Sequence, residues 1–290
     1  MIIQSAYKSD KAREKAIASY DDFLTRWPVP YRTQNVMTGF GETYIIISGP
    51  PQAKPLVLLH GGATNSTMWM NNIATLSSEF QVFAVDIIGE PGKSAGTRPL
   101  YKSDGHARWL NEVFAALKIH EAALCGLSLG AMLAWKFALR YPESVSSLAL
   151  LSTSSLAPSS SNINLSVMFS AILANVLPIY SFGKKFLNTI SATALRWPDW
   201  AVKGFIAQYQ SYKFNFDKIS IISDDELSQL PAKTLVLMGK DEVLYDPISV
   251  VSRIHSVAPS IIVEILPGAK HTISTDQPDL VNEKLLNFLC

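Results

Sequence analysis

From residue 55 onward, apolar positions come in short unbroken runs rather than in single alternation with polar ones. The runs are Leu56–Leu59, Val82–Val85, Ala122–Cys125, Ser147–Leu151, Thr234–Met238 and Ile261–Ile265. Between several of them the spacing turns helical, over Asp104–Leu117, Met132–Tyr141 and Pro247–Val257. A strand with one wet face alternates, whereas a strand apolar throughout is covered on both faces. Strands of that kind joined by helices belong to a parallel sheet, so the pattern predicts an α/β class. In such sheets function gathers at the carboxyl ends of the strands. Ahead of this region, residues 9–27 predict a helix packed on the body. Ser9 or Asp10 caps it, Ile17, Tyr20, Leu24 and Trp27 recur at helical spacing, and Pro28 stops it. Strands around Gln34–Met37 and Tyr44–Ile47 follow, separated by Gly39 and Gly41.

Between Leu151 and Thr234 the alternation stops, and the texture is helical and aromatic-rich without a clear strand. The stretch opens with a serine-rich link, residues 152–162, and closes near Ser223-Asp-Asp-Glu226, a helix start. Residues 155–225 are therefore expected to form a helical cap inserted into a core made of 1–154 and 226–290. Of its apolar residues Val167, Met168, Phe169, Ile172, Leu173 and Val176, most are expected in the core and a minority over an apolar pocket. The most apolar segment, Leu165–Tyr180, is shorter than the ~20 residues that cross a bilayer, so no membrane insertion is expected.

Composition narrows this picture further. A chain of 290 residues that is 48% hydrophobic and 17% charged has enough apolar surface to fold. Its 25 basic and 24 acidic side chains make no electrostatic case for nucleic acid or an anionic membrane. The first ten residues lack the charged-then-apolar layout of a signal peptide. Cys125 lies in an apolar run and Cys290 at the chain end, which reads as two free thiols and a cytoplasmic location. Nothing in composition bears on oligomeric state.

The sharpest chemical signal is Gly126-Leu127-Ser128-Leu129-Gly130, directly after one apolar run and before a helical stretch. Strand, sharp turn and helix make a nucleophile elbow, whose turn exposes the serine at the sheet edge. A serine hydroxyl needs a base, itself held by a third group. Among His60, His106, His120, His255 and His271, only His271 follows a strand late in the chain and stands at its carboxyl end. The orienting acid is expected between serine and histidine in chain order, where Thr234–Met238 runs into Gly239-Lys-Asp-Glu242. Asp241 and Glu242 are both candidates, and Asp246 is better suited to capping the helix that starts at Pro247. Leu56–Leu59 leads to His60-Gly61-Gly62, which points to the Gly62 N–H as one oxyanion donor and to Leu129, after the serine, as the other.

With these elements in order, residues 33–290 resemble an α/β-hydrolase. The landmarks are His60-Gly61-Gly62, Asp86-Ile-Ile-Gly89, Gly126-Leu-Ser128-Leu-Gly130, Gly239-Lys-Asp-Glu242 and His271. The narrower resemblance is to Bacillus-type carboxylesterases, carried by Arg26-Trp27-Pro28-Val29-Pro30, Ser66-Thr-Met-Trp69 and Ala84-Val-Asp-Ile-Ile-Gly89. It implies a mostly parallel central sheet with helices on both faces and an inserted helical cap. It also implies the acid at Glu242, where most relatives carry aspartate, with Asp241 as the alternative. The turn Gly89-Glu-Pro-Gly92-Lys-Ser94 is one residue longer than usual and reads as structural. Dehalogenases and epoxide hydrolases, with aspartate in place of Ser128, are set aside.

The expected activity is therefore hydrolysis of small or medium hydrophobic carboxylic esters through Ser128, His271 and Glu242, with no metal or organic cofactor. The alternatives are the same triad acting on amide, thioester, carbon–carbon or peracid bonds, and a non-catalytic binding protein on the same scaffold.

Overall fold

The computed structural model describes residues 5–158, 164–177, 179–231 and 233–290. Helix α1 (Asp10–Thr25) leads into a hairpin of β1 (Tyr31–Thr38) and β2 (Gly41–Ser48). Next come β3 (Lys54–Leu59), α2 (Ile73–Glu79), β4 (Phe80–Val85), α3 (Gly105–Leu117), β5 (Ala122–Leu127), α4 (Leu129–Arg140) and β6 (Val145–Leu151). Among the described residues four α-helices stand between β6 and the following strand: α5 (Leu165–Val176), α6 (Tyr180–Ile190), α7 (Asp199–Ser211) and α8 (Asp224–Ser228). The remaining elements are β7 (Thr234–Gly239), α9 (Pro247–Val257), β8 (Ile262–Leu266), α10 (Ile273–Asp276) and α11 (Pro278–Leu289).

Among the described residues the strands form one eight-stranded sheet in the order β1-β2-β4-β3-β5-β6-β7-β8. Only β1–β2 and β2–β4 pair antiparallel; the other neighbours are parallel. The unbroken apolar runs have a direct cause, since alternate side chains of one strand enter two different cores. Val57, Leu59, Leu124, Leu148, Leu150 and Val236 pack with α3, α4 and α9 on one face. Leu56, Leu58, Cys125, Ala149, Leu151 and Leu237 pack with α2, α11 and the inner side of α1 on the other.

Several boundaries differ from the sequence reading. Helix α4 starts at Leu129 rather than Met132, because a single residue, Ser128, makes the whole reversal. Strand β6 extends back to Val145 despite the exposed Ser146. Strand β8 is shifted by one residue and is only half-buried, because it is the sheet edge. There Glu264 meets Lys284 at 2.8 Å. Ser223 and Glu226 make the reciprocal caps of a capping box at the start of α8, an arrangement in which the capping serine is worth ~1 kcal/mol.

The inserted helices depart further from expectation. Of the six apolar residues singled out on α5, only Val167 is buried, while Met168, Phe169 and Val176 are exposed. The helix carries apolar residues on its outward side as well as on the side that meets α6 and α7. The link residues 159–163 lie outside the described residues. Helix α1 does more than pack on the body. It bridges the body and α7. Ser19 Oγ donates to the Gly204 carbonyl at 3.2 Å, Phe23 meets the Trp200 ring edge-on at 5.0 Å, and Tyr20 donates to the buried Asp86 at 3.1 Å.

Candidate active site

The turn after β5 is built by exclusion. A Cβ on Gly126 would sit 2.3 Å from the Gly130 carbonyl, and one on Gly130 would sit 2.2 Å from the Leu59 carbonyl oxygen. Glycine at both positions lets β5, α4 and β3 pass this closely. Ser128 then takes φ 53° and ψ −109°, a strained conformation for a residue with a side chain. Its N–H donates to the Leu151 carbonyl at 2.8 Å, which pins the turn to β6.

Two more carboxyl strand ends converge on it. After β8 the loop delivers His271, which is 8% exposed. The His271 Nδ1 lies 2.9 Å from Glu242 Oε2 and 3.1 Å from Oε1. A carboxylate only accepts, so Nδ1 carries the proton. Nε2 is left as an acceptor, 2.9 Å from Ser128 Oγ. The Glu242 side chain, after β7, has no solvent exposure. Its Oε1 also accepts from the N–H groups of Val243 at 2.8 Å and Leu244 at 3.0 Å. Asp241 stands apart: its N–H donates to the Ala269 carbonyl and its side chain is exposed. Asp246 caps α9 by accepting from Ile248 and Ser249.

The turn after β3 lies against the start of α4, and a Cβ on Gly62 would come 3.5 Å from Leu129 Cβ. Most polar backbone groups in this turn are occupied. The Gly61 carbonyl accepts from Thr64 Oγ1 at 2.6 Å, the Gly61 N–H meets Met68 Sδ at 3.2 Å, and the Ala63 N–H donates to Glu90 at 2.6 Å. No partner for the Gly62 N–H occurs among the described residues. Leu129, as the first residue of α4, has no intrahelical acceptor for its own N–H. The turn that carries Gly62 thus lies beside Leu129, the residue after Ser128.

The other histidines have different surroundings. His60 is fully buried, with Nε2 accepting from the Ile87 N–H at 2.9 Å and Nδ1 donating to the Gly61 carbonyl at 2.8 Å. Burial lowers its pKa, which keeps it a neutral brace for the turn. His106 is also buried, and His120 and His255 are exposed. Both cysteines are free, and burial pushes the Cys125 thiol up.

One residue at this site escaped the sequence reading. Glu90, placed in a turn read as structural, is 2% exposed and touches the turn that carries Gly62. Its one visible sign was a glutamate between Gly89 and Pro91 in a turn one residue longer than the usual G-x-G-x-S.

A mostly parallel sheet whose strand ends deliver a serine, a carboxylate and a histidine in that chain order is the architecture of the α/β-hydrolases. A family model described as alpha/beta hydrolase fold matches residues 54–191, and the chain belongs to that family. Within it the chain resembles carboxylesterases of Bacillus. The "uncharacterized carboxylesterase nap" of Bacillus subtilis is 36% identical across 93% of this chain and 90% of its own length. Carboxylesterase YbfK of the same organism is 32% identical across 94% and 92%. The crystal structure of naproxen esterase (carboxylesterase NP) from Bacillus subtilis matches with a TM-score of 0.87 at 34% identity, covering 97% of this chain and 99% of that one.

Proposed function

We propose that this α/β-hydrolase is a serine carboxylesterase. The ester-hydrolase class rests on kinship with the Bacillus carboxylesterases over more than nine-tenths of the chain. The mechanism rests on one observation above the others, the unbroken hydrogen-bonded line from Ser128 Oγ through His271 to Glu242. In this reading Ser128 attacks the ester carbonyl while His271 Nε2 takes its proton and passes it to the leaving alcohol. Glu242 holds the ring tautomer and stabilises the imidazolium that forms. The Gly62 and Leu129 N–H groups receive the oxyanion, and water then releases the acyl group by the same route.

The inserted helices, residues 155–225, act as a cap over this site. Their apolar cluster, with stacked Phe186, Tyr209 and Phe205 rings, packs against Ala63 beside Gly62 and against Val243 beside Glu242. That placement favours small or medium esters with an apolar acyl or alcohol part.

The test is hydrolysis of p-nitrophenyl butyrate and of the matched anilide by wild type and Ser128→Ala, alongside labelling with a serine-directed fluorophosphonate. The expected result is ester cleavage by the wild type, loss of it in the variant, and label on Ser128 alone. Rapid anilide cleavage without ester cleavage moves the function to amides. Absence of label on folded wild type removes the nucleophile.

A further inference from the structure

Glu90 is a buried carboxylate held from three separate parts of the chain. Its Oε2 accepts from the Ala63 N–H at 2.6 Å, and its Oε1 accepts from Tyr212 Oη at 2.9 Å and Tyr101 Oη at 3.3 Å. Ala63 sits at φ 56°, a strained conformation for alanine that its surroundings must hold. Tyr212 lies just after α7, where the chain returns from the inserted helices and bridges to Tyr7. Arg98 is the nearest cation, yet its hydrogen bonds go to the carbonyls of Gly89 and Lys213, and its guanidinium stacks 4.9 Å over the Tyr212 ring. Among the described residues Glu90 has no ion pair. A buried acid at a turn has to be compensated by donors, and one of the three donors belongs to the peptide that follows Gly62.

We propose that Glu90 is a positioning residue for the reaction. Its carboxylate fixes the Gly62–Ala63 peptide, and so aims the Gly62 N–H at the oxyanion, while tying that turn to the returning segment of the inserted helices. The proposal rests on the carboxylesterase reading above. The geometry supplies the reason. Anchoring the Ala63 N–H holds the Gly62 Cα, the hinge on which the Gly61–Gly62 peptide and its N–H turn, while Thr64 and His60 hold the Gly61 carbonyl at the other end of that peptide. The ionised carboxylate accepts from Ala63 as a charge-assisted bond, about twice as strong as the bond a neutral acid makes. Burial pushes the Glu90 carboxyl up to about 7, against the opposing pull of the Ala63 N–H, Arg98, Tyr212 and Tyr101. The clamp therefore loosens on the acid side of neutrality. The charged groups next nearest are otherwise engaged. Asp86 accepts from Ser66, Lys93 and Tyr20, and Asp217 accepts from the Tyr101 N–H.

Glu90→Gln and Tyr212→Phe separate this role from a merely structural one. Glutamine keeps the size and an acceptor for Ala63 but cannot ionise, and the tyrosine hydroxyls can turn to accept from its amide. In p-nitrophenyl butyrate hydrolysis, Glu90→Gln is expected to lower kcat roughly five- to tenfold with little change in KM. Its kcat/KM profile should lose one ionisation, that of Glu90, from the acid limb. Tyr212→Phe removes a donor that favours the ionised form, so the acid limb should move to higher pH.

Independently of turnover, the Ala63 amide proton followed by nuclear magnetic resonance should shift with a midpoint near 7 in wild type and stay flat in Glu90→Gln. A flat Ala63 titration in wild type overturns the proposal, as does wild-type kcat in Glu90→Gln. If wild type cleaves no ester while Ala63 titrates as expected, the carboxylesterase reading fails and the clamp stands.

Discussion

Replacing Glu242 by glutamine tests the arrangement at its most constrained point. The carboxylate takes two backbone N–H groups on Oε1 and the His271 Nδ1–H chiefly on Oε2, with no solvent to substitute for either. An amide of the same shape has one accepting end and one donating end. With its oxygen toward Val243 and Leu244, the NH2 end faces His271 Nδ1, which must then accept. The ring proton moves to Nε2, and the base toward Ser128 is lost. The opposite orientation sets NH2 against two backbone donors and leaves them unsatisfied, at about 1–3 kcal/mol each. The first orientation wins, so the fold survives and the chemistry does not. The expected loss in kcat is about 10⁴-fold, as for the corresponding wrong-tautomer change in a serine protease. That is about 5 kcal/mol of barrier, while the urea midpoint of unfolding stays close to wild type. Steady-state hydrolysis of p-nitrophenyl butyrate measures the first quantity and equilibrium unfolding the second. Asp241→Asn, with its side chain in solvent, should stay within about twofold of wild type, as surface changes generally do. A Glu242→Gln enzyme keeping more than about a tenth of wild-type kcat would refute the tautomer argument. Collapse of Asp241→Asn would transfer the role to Asp241.

Gly126→Ala should destabilise the protein by about 2 kcal/mol or more, because its methyl would meet the Gly130 carbonyl at 2.3 Å and neither strand nor helix can retreat. An unchanged urea midpoint would show that the elbow yields more easily than its packing suggests. Burial, with Lys136 adding to it, pushes the His106 imidazole from an ordinary 6.5 down to about 3. Below 6.5 the unfolded chain binds a proton that the folded one refuses, so this stability is complete above 6.5 and lost as pH falls toward 3. Glu90 has the opposite sign, since its raised pKa adds stability at low pH that disappears as pH rises from 4.5 through about 7. His106→Phe should therefore flatten the fall in urea midpoint between roughly pH 6.5 and 4, and an equally steep fall in the variant would count against the assignment.

Much of the architecture was legible because its causes are local. A residue buried on either face of a strand must be apolar whatever lies beyond it, so β3–β7 stood out as runs. The elbow was legible for the same reason, since Gly126, Ser128 and Gly130 satisfy a steric demand set within five residues. Chain order and strand ends then singled out His271 and narrowed the acid to neighbouring residues. The choice between Asp241 and Glu242 was different. Both lie in one loop, both are carboxylates, and resemblance favoured Glu242 without a reason internal to the chain. The loop's course after β7 turns Glu242 inward onto two backbone N–H groups and leaves Asp241 in water.

What stayed illegible depends on partners far apart in sequence. Nothing near Glu90 announces that Ala63, Tyr101 and Tyr212 will surround it. The apolar texture of α5 did not say which side would find neighbours, and the outward side carries Phe169 and Val176 into solvent. Helix α1 reads as an ordinary amphipathic helix, yet its position between the body and α7 exists only once residues 151–234 have folded back over the sheet. Periodicity and steric demand are properties of a few consecutive residues, and the sequence carries them openly. Which buried donor meets which acceptor is set by how whole elements pack, and that is fixed only in three dimensions.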